Sequence, residues 1–325
     1  MECMVTLADI HAAQSRIRGV ATRTHLVEFT GLCAEDPRKL FLKPENQQPI
    51  GAFKIRGAYN KIAALNDAER SRGVITYSSG NHAQGVAYAA RALKTKAVVV
   101  MPSNAPAMKR QATAALGAEI VTVGPASSER QLKAEALAAE HGYIIVPPYN
   151  DEFIIAGQGT MGLEILEDLP EVGTVLAPVG GGGMLAGIAA AIKLSQPSVK
   201  VIGVEPEVAN DAQTSFRTGT LSSLSAEQVT RTLADGLRTQ SIGDINFAHF
   251  RKYVDDIITV TEDEIRQTMK YLSANRATVA EPSGAVATAG FIFHARELPP
   301  GKLSVAIVSG GNIEPSMLDE LRNSN

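Results

Sequence analysis

Val74-Ile75-Thr76-Tyr77, Ala97-Val98-Val99-Val100-Met101, Glu119-Ile120-Val121-Thr122-Val123 and Tyr143-Ile144-Ile145-Val146 are four short apolar runs within one stretch of the chain. Between them lie segments with helical spacing, near His82–Leu93, Ala107–Leu116 and Ser128–Glu140. Continuous apolar strands alternating with helices predict a parallel sheet covered on both faces. Residues 74–150 therefore read as one compact α/β lobe.

The flanking sequence repeats the pattern more loosely. A helix is expected over residues 6–19, with Leu7, Ile10, Ala13 and Ile17 on one face. A loop from Thr22 to Leu26 leads to a strand pair ending at Leu40-Phe41-Leu42-Lys43, and a helix through Ala58, Ile62 and Leu65 follows Lys54. After a helix from Ala156 to Leu169 come Val175–Val179, a glycine run, a helix to Lys193 and Val201–Val204. Residues 207–250 look irregular. Order resumes at Ile257–Val260, with helices near 262–275 and 283–297, and ends in the strand Leu303–Val308. At 325 residues the chain exceeds the usual single core. We expect a large lobe of 1–73 plus 151–325, with 74–150 inserted as the small one, each an open, mostly parallel twisted sheet covered by helices.

Composition removes several function classes. The chain is 45% hydrophobic and 20% charged, as ordinary globular proteins are. A net charge of −3 leaves no basic footprint for nucleic acid. Cys3 and Cys33 make no disulfide framework, and no Cys/His pair has metal-type spacing. No secretory signal opens the chain, and no run of about eighteen apolar residues predicts a membrane span. A cytoplasmic location follows by default.

Three strand-to-helix junctions and one lysine carry the chemistry. Gly180-Gly181-Gly182-Gly183 has no Cβ to obstruct backbone N–H groups, and a helix N-terminus behind it favours an anion. It is neither the Gly-x-Gly-x-x-Gly dinucleotide pattern nor a nucleoside-triphosphate loop. Ser78-Ser79-Gly80-Asn81-His82 offers hydroxyls, an amide and another helix N-terminus to a carboxylate. Ser309-Gly310-Gly311-Asn312 ends the last strand with a hydroxyl that can meet a heterocycle nitrogen. Phe53-Lys54 follows a Pro/Gly-rich turn, where an amine can be held partly dry and made nucleophilic toward an aldehyde.

These segments, with Ala156-Gly157-Gln158-Gly159-Thr160, Ala234-Asp235-Gly236 and Glu281-Pro282, resemble the serine/threonine dehydratase and serine racemase family in order and over nearly the whole chain. That family comprises pyridoxal-phosphate enzymes of the tryptophan-synthase-β fold (fold type II). The resemblance implies that Lys54 is the Schiff-base lysine and that Phe53 packs near the ring. By the same resemblance Gly180, Gly181, Gly182, Gly183 and Met184 hold the phosphate, Ser309 meets the pyridine nitrogen and Asn81 the ring hydroxyl. Glu281 joins the cofactor-binding set. Ser78, Ser79, Asn81, His82 and Asp235 would bind the substrate. Arg130 falls where the racemases have a substrate-facing arginine; an exposed helix residue is the other reading.

The reaction implied is loss of water and then ammonia from a β-hydroxy amino acid: L-serine, L-threonine or threo-3-hydroxyaspartate. Lys54 would act as the base. Ser79, where threonine dehydratases commonly carry alanine, either returns a proton to the opposite face of Cα or only hydrogen-bonds the carboxylate. Serine racemisation is the first alternative, and a non-catalytic cofactor and amino-acid binder the second. Glu205 and Asp211, six residues apart with the Ala209 carbonyl between, can offer oxygen ligands. In the family, matching groups hold a divalent cation, so Mg²⁺ is expected, or Ca²⁺ or Mn²⁺. A homodimer is implied by resemblance only. The chain stops soon after Asn312, so a regulatory domain and isoleucine feedback are not expected.

Overall fold

The computed structural model describes residues 4–30, 38–78, 80–105, 107–124, 127–274, 278–301 and 303–323. Ser79, Cys3 and Cys33 lie outside them. The chain enters through α1 (Leu7–Ile17), where Thr6 and Asp9 form a reciprocal capping box. Then come β1 (Val27–Phe29), β2 (Lys39–Pro44), α2 (Lys54–Ala63) and α3 (Asp67–Arg72). Strict alternation follows: β3 (Val74–Tyr77), α4 (Asn81–Ala92), β4 (Ala97–Pro102), α5 (Ala107–Ala115), β5 (Glu119–Val123), α6 (Ser127–His141) and β6 (Ile144–Ile145). The remainder comprises α7 (Glu152–Asp168), β7 (Thr174–Pro178), α8 (Gly183–Ser195), β8 (Lys200–Pro206), α9 (Asp211–Thr218), α10 (Ala226–Val229) and α11 (Asp244–Tyr253). It closes with β9 (Asp256–Val260), α12 (Glu262–Ala274), α13 (Pro282–Phe293), β10 (Leu303–Val308) and α14 (Pro315–Asn323).

The strands form two sheets. One has the order β1-β2-β10-β7-β8-β9 and the other β5-β4-β3-β6. Every pairing is parallel except β1 with β2. Parallel sheets bury both faces, and the central strands obey this residue by residue. Val175 and Ala177 of β7, with Val305 and Ile307 of β10, enter a core shared with α1, α7 and α8. Their neighbours Leu176, Ala306 and Val308 enter the opposite core with α12 and α13. Ala58 and Ile62 of α2 and Ile154 of α7 join the core of the small sheet, so α2 and α7 lie between the lobes.

Two expectations need correction. Residues 207–250 are not irregular, since α9, α10 and α11 occupy much of that stretch. The helix expected from Ala156 starts earlier, at Glu152, because Asp151 caps it by accepting from the N–H groups of Phe153 and Ile154. Among the described residues no helix is long and apolar enough to cross a membrane.

Candidate active site

Each sheet has a point where the strand order reverses, and ligands bind outside the carboxyl ends of strands at such points. In the small sheet it lies between β3 and β6; in the large sheet it lies between β7 and β10. The junctions singled out from sequence follow these strands: Ser78 to His82 follows β3, Gly180 to Gly183 follows β7, and Ser309 follows β10.

Lys54 is the first residue of α2 and is fixed from both sides. The N–H of Phe53 donates to the Ser309 carbonyl at 3.0 Å, and that of Gly311 to the Gly51 carbonyl at 2.9 Å, zipping the start of α2 to the end of β10. The Lys54 Nζ donates to the Pro148 carbonyl at 2.7 Å, beyond β6. It lies 5.2 Å from the Phe53 ring centroid. Burial brings its pKa down to about 8.

Two residues further on, Arg56 anchors the helix. Its Nε and Nη2 each donate to the Glu45 carboxylate at 2.8 Å, and its Nη1 donates to Glu164 at 2.7 Å. Lys43 donates to Glu164 at 2.6 Å. Arg56, Lys43 and Glu45 are wholly buried, and two cations balance two anions. This network ties the end of β2, α2 and α7 into one unit beneath Lys54.

The glycine loop is built for close backbone approach. Gly182 has φ +94°, which side-chain-bearing residues rarely adopt, and caps α8 without a side-chain hydrogen bond. A Cβ on Gly181 would enter the Tyr149 ring, and one on Gly183 would come within 2.9 Å of the Tyr149 carbonyl. The Gly181 carbonyl accepts from Gly243 N–H at 3.1 Å and Asn246 Nδ2 at 2.6 Å, which holds the loop in place. Met184 turns its side chain into the large core, leaving its backbone to the loop.

At the start of α4, Asn81 donates to Glu281 Oε1 at 2.6 Å and accepts from Asn312 Nδ2 at 2.7 Å. Glu281 is buried and its other oxygen has no hydrogen-bond partner among the described residues. Burial and the nearby Asp235 raise its pKa to about 7. The Ser309 hydroxyl, also buried, donates to the Ser283 carbonyl at 3.3 Å. His82 donates Nε2–H to the Val146 carbonyl at 3.0 Å. Burial and the Lys54 charge lower the His82 pKa to about 3, so it is neutral. Ser78 accepts from Gly80 N–H at 3.3 Å, inside its own turn. Asp235 is ion-paired with Lys109 of α5, joining the two lobes.

A phosphorylated pyridine aldehyde fits these residues. They present a dry amine for the aldehyde, a Cβ-free loop at a helix N-terminus for the phosphate, and buried polar groups for the ring. Glu205 and Asp211 also come together. Glu205 accepts from the N–H groups of Ala212 at 3.2 Å and Gln213 at 2.8 Å. Burial raises its pKa well above the usual carboxylate range, with Asp211 adding to the effect. Burial raises that of Asp211 to about 7. Both Asp211 oxygens lack a partner among the described residues, so a cation between the two carboxylates would relieve a real strain. No cluster of three or more His, Cys, Asp or Glu suited to a metal occurs among the described residues.

Sequence reading overlooked Lys109, the Pro148 carbonyl and the buried charges under Lys54. Lys109 sits in a helix of ordinary polar composition, and the partners of Arg56 lie up to 108 residues away. Arg130 stands half-buried in the first turn of α6, after the sheet's far edge strand β5.

A partly buried lysine with a lowered pKa and a Cβ-free glycine loop at a helix N-terminus, both beyond the carboxyl ends of switch-point strands, are the features expected of a pyridoxal-phosphate enzyme of fold type II. The chain belongs to the pyridoxal-phosphate-dependent enzyme family, whose sequence model matches residues 17–310. It is 40% identical to the L-threo-3-hydroxyaspartate ammonia-lyase of Saccharomyces cerevisiae over 95% of this chain and 94% of the relative. It is 42% identical to the L-threonine ammonia-lyase of Thermotoga maritima, over 98% of this chain and 79% of the relative. Maize serine racemase superposes with a TM-score of 0.93 at 36% identity, covering 98% of this chain and 97% of the other.

Proposed function

We propose that the protein is an ammonia-lyase that converts small β-hydroxy amino acids, L-threonine, L-serine or threo-3-hydroxyaspartate, to a keto acid and ammonia. The observation that carries this reading is the Lys54 amine, its pKa lowered by desolvation and hydrogen-bonded to the Pro148 carbonyl, at the start of a helix that is tied to the end of β10. Pyridoxal phosphate, when bound, supplies an electron sink for the Cα of an amino acid. Lys54 first fixes the cofactor and then serves as the base for the Cα proton, a task suited to a pKa near the working pH. Gly180 to Gly183 and the N-terminus of α8 would hold its phosphate, and Ser309 and Asn81 would hydrogen-bond its ring. Glu281 keeps Asn81 oriented. Backbone N–H groups from Ser78 to His82 hold the substrate carboxylate. With a proton leaving Cα and hydroxide leaving Cβ, water is lost, and hydrolysis then releases ammonia.

The likeness to maize serine racemase favours racemisation as a second activity, which would require a proton donor such as Ser79 on the face opposite Lys54. Glu205, Asp211 and the Ala209 carbonyl would hold Mg²⁺ or a similar divalent cation, a reading supported by two buried carboxylates with raised pKa values. We assign residues 1–73 plus 151–325 to the large cofactor lobe and 74–150 to the small one. On resemblance we propose a homodimer, and a cytoplasmic location remains the default assignment.

The test is to supply holoprotein with each of the three amino acids and follow keto acid, ammonia and D-serine. Equimolar keto acid and ammonia are expected from at least one substrate. No keto acid from any of them would overturn the reading.

A further inference from the structure

The turn that faces a substrate carboxylate has no positive charge of its own. Ser78, Gly80 and Asn81 are uncharged, and His82 is held neutral by burial. Two carboxyl groups, Asp235 and Glu281, stand beside it. A carboxylate entering here needs a counter-charge from elsewhere.

Lys109 provides one. It projects from α5 of the small lobe and is only 7% exposed. Its Nζ lies 4.0 Å from the point where a Cβ on Gly80 would stand. It forms an ion pair with Asp235, in the short helical turn Asp235–Leu237 of the large lobe. That turn is itself seated in the site: the N–H of Gly236 donates to the Ser283 hydroxyl at 2.9 Å, and a Cβ on Gly180 would meet the Gly236 carbonyl at 3.2 Å. The ammonium therefore sits beside the turn and is occupied by a carboxylate of the protein.

We propose that Lys109 is the counter-charge for the substrate carboxylate, and that Asp235 is the anion it holds until a substrate arrives. The incoming carboxylate takes over or shares the ammonium, so the buried Lys109 charge keeps a partner, while Asp235, whose side chain is 39% exposed, is left to solvent. Lys109 thus selects for ligands with a free carboxylate, and Asp235 weakens their binding by competing. This rests on reading Ser78 to His82 as the carboxylate clamp.

The probe is labelled 3-hydroxypropionate, which carries the carboxylate and β-hydroxyl but no amine to react. Its binding to holoprotein is measured by equilibrium dialysis, independent of which amino acid is turned over. The visible cofactor band and thermal midpoint establish that each variant is loaded and folded. Lys109→Gln is expected to weaken binding about tenfold or more, Lys109→Arg to restore most of it, and Asp235→Asn to tighten it several-fold. Unchanged binding in Lys109→Gln would overturn the proposal. So would weakening by Asp235→Asn, as expected of a mere strut between lobes, and that variant decides the matter if Lys109→Gln does not fold. A parent protein that binds no probe would overturn the clamp reading and this proposal together; failure of Lys109 alone would leave the clamp intact.

Discussion

The Lys54 amine donates to the Pro148 carbonyl at 2.7 Å, linking the first residue of α2 to the segment that leaves β6. The contact spans the gap between the two sheets and puts a lysine where water is scarce. Removing the amine removes both its attachment role and its base role. Lys54→Ala should lose the visible cofactor band and lower turnover by about 10³-fold or more, measured by absorbance and keto-acid release.

A second expectation concerns pH. Burial disfavours the ammonium, so the Lys54 pKa falls from 10.5 to about 8. The neutral amine is the form that attacks an aldehyde. The rate of cofactor uptake by apoprotein should therefore rise with pH and level off above a midpoint near 8. Stopped-flow mixing with pyridoxal phosphate across the alkaline range measures this. A rate still climbing near the lysine value of 10.5 would contradict the dry amine.

Gly182→Ala imposes strain at φ +94° and brings a Cβ within 2.9 Å of the Phe250 ring. The backbone must shift or bear about 1–3 kcal/mol. Either way the glycine loop proposed to hold the phosphate is perturbed. Cofactor affinity should fall by about tenfold, in line with that energy, as read by titration of apoprotein.

Arg56→Met leaves Glu45 and Glu164 buried with Lys43 as the remaining cation of the network. Breaking a buried charge network in this one-sided way costs about 3–5 kcal/mol. The urea midpoint should drop accordingly with an unchanged slope. Lys54 would lose its anchored helix, so cofactor binding should weaken in parallel.

The Asp211 pKa is raised from 3.8 to about 7 in the folded state, so its folded form holds a proton that the unfolded chain has lost. The resulting stability is present below the unfolded value and disappears as pH rises through about 7. Where both carboxyl groups ionise, two buried anions repel, and Mg²⁺ should raise the thermal midpoint of chelator-treated protein. Asp211→Asn should be more stable than the parent without metal and indifferent to added Mg²⁺. Calorimetry at pH 8, with and without the ion, separates the two cases.

Much of this was legible from residues alone. The bounds of β3, β5 and β10 match the apolar runs: β3 and β10 are buried along nearly their whole length, while the half-exposed edge strand β5 is marked by its β-branched residues. The helix α11 was missed because its buried face mixes Asn246 and His249 with Phe250 and Tyr253, so an apolar count does not register the period. The glycine loop and Lys54 stood out because their chemistry is carried by adjacent residues. Lys109 and Arg56 did not, since what distinguishes them is a partner distant in sequence: Asp235 for one, Glu45 and Glu164 for the other.

The most direct measurement is to load the protein with pyridoxal phosphate, reduce it with borohydride and map the modified peptide by mass spectrometry. The account predicts a single cofactor adduct, on Lys54. An unmodified Lys54, or an adduct on another lysine, would contradict it.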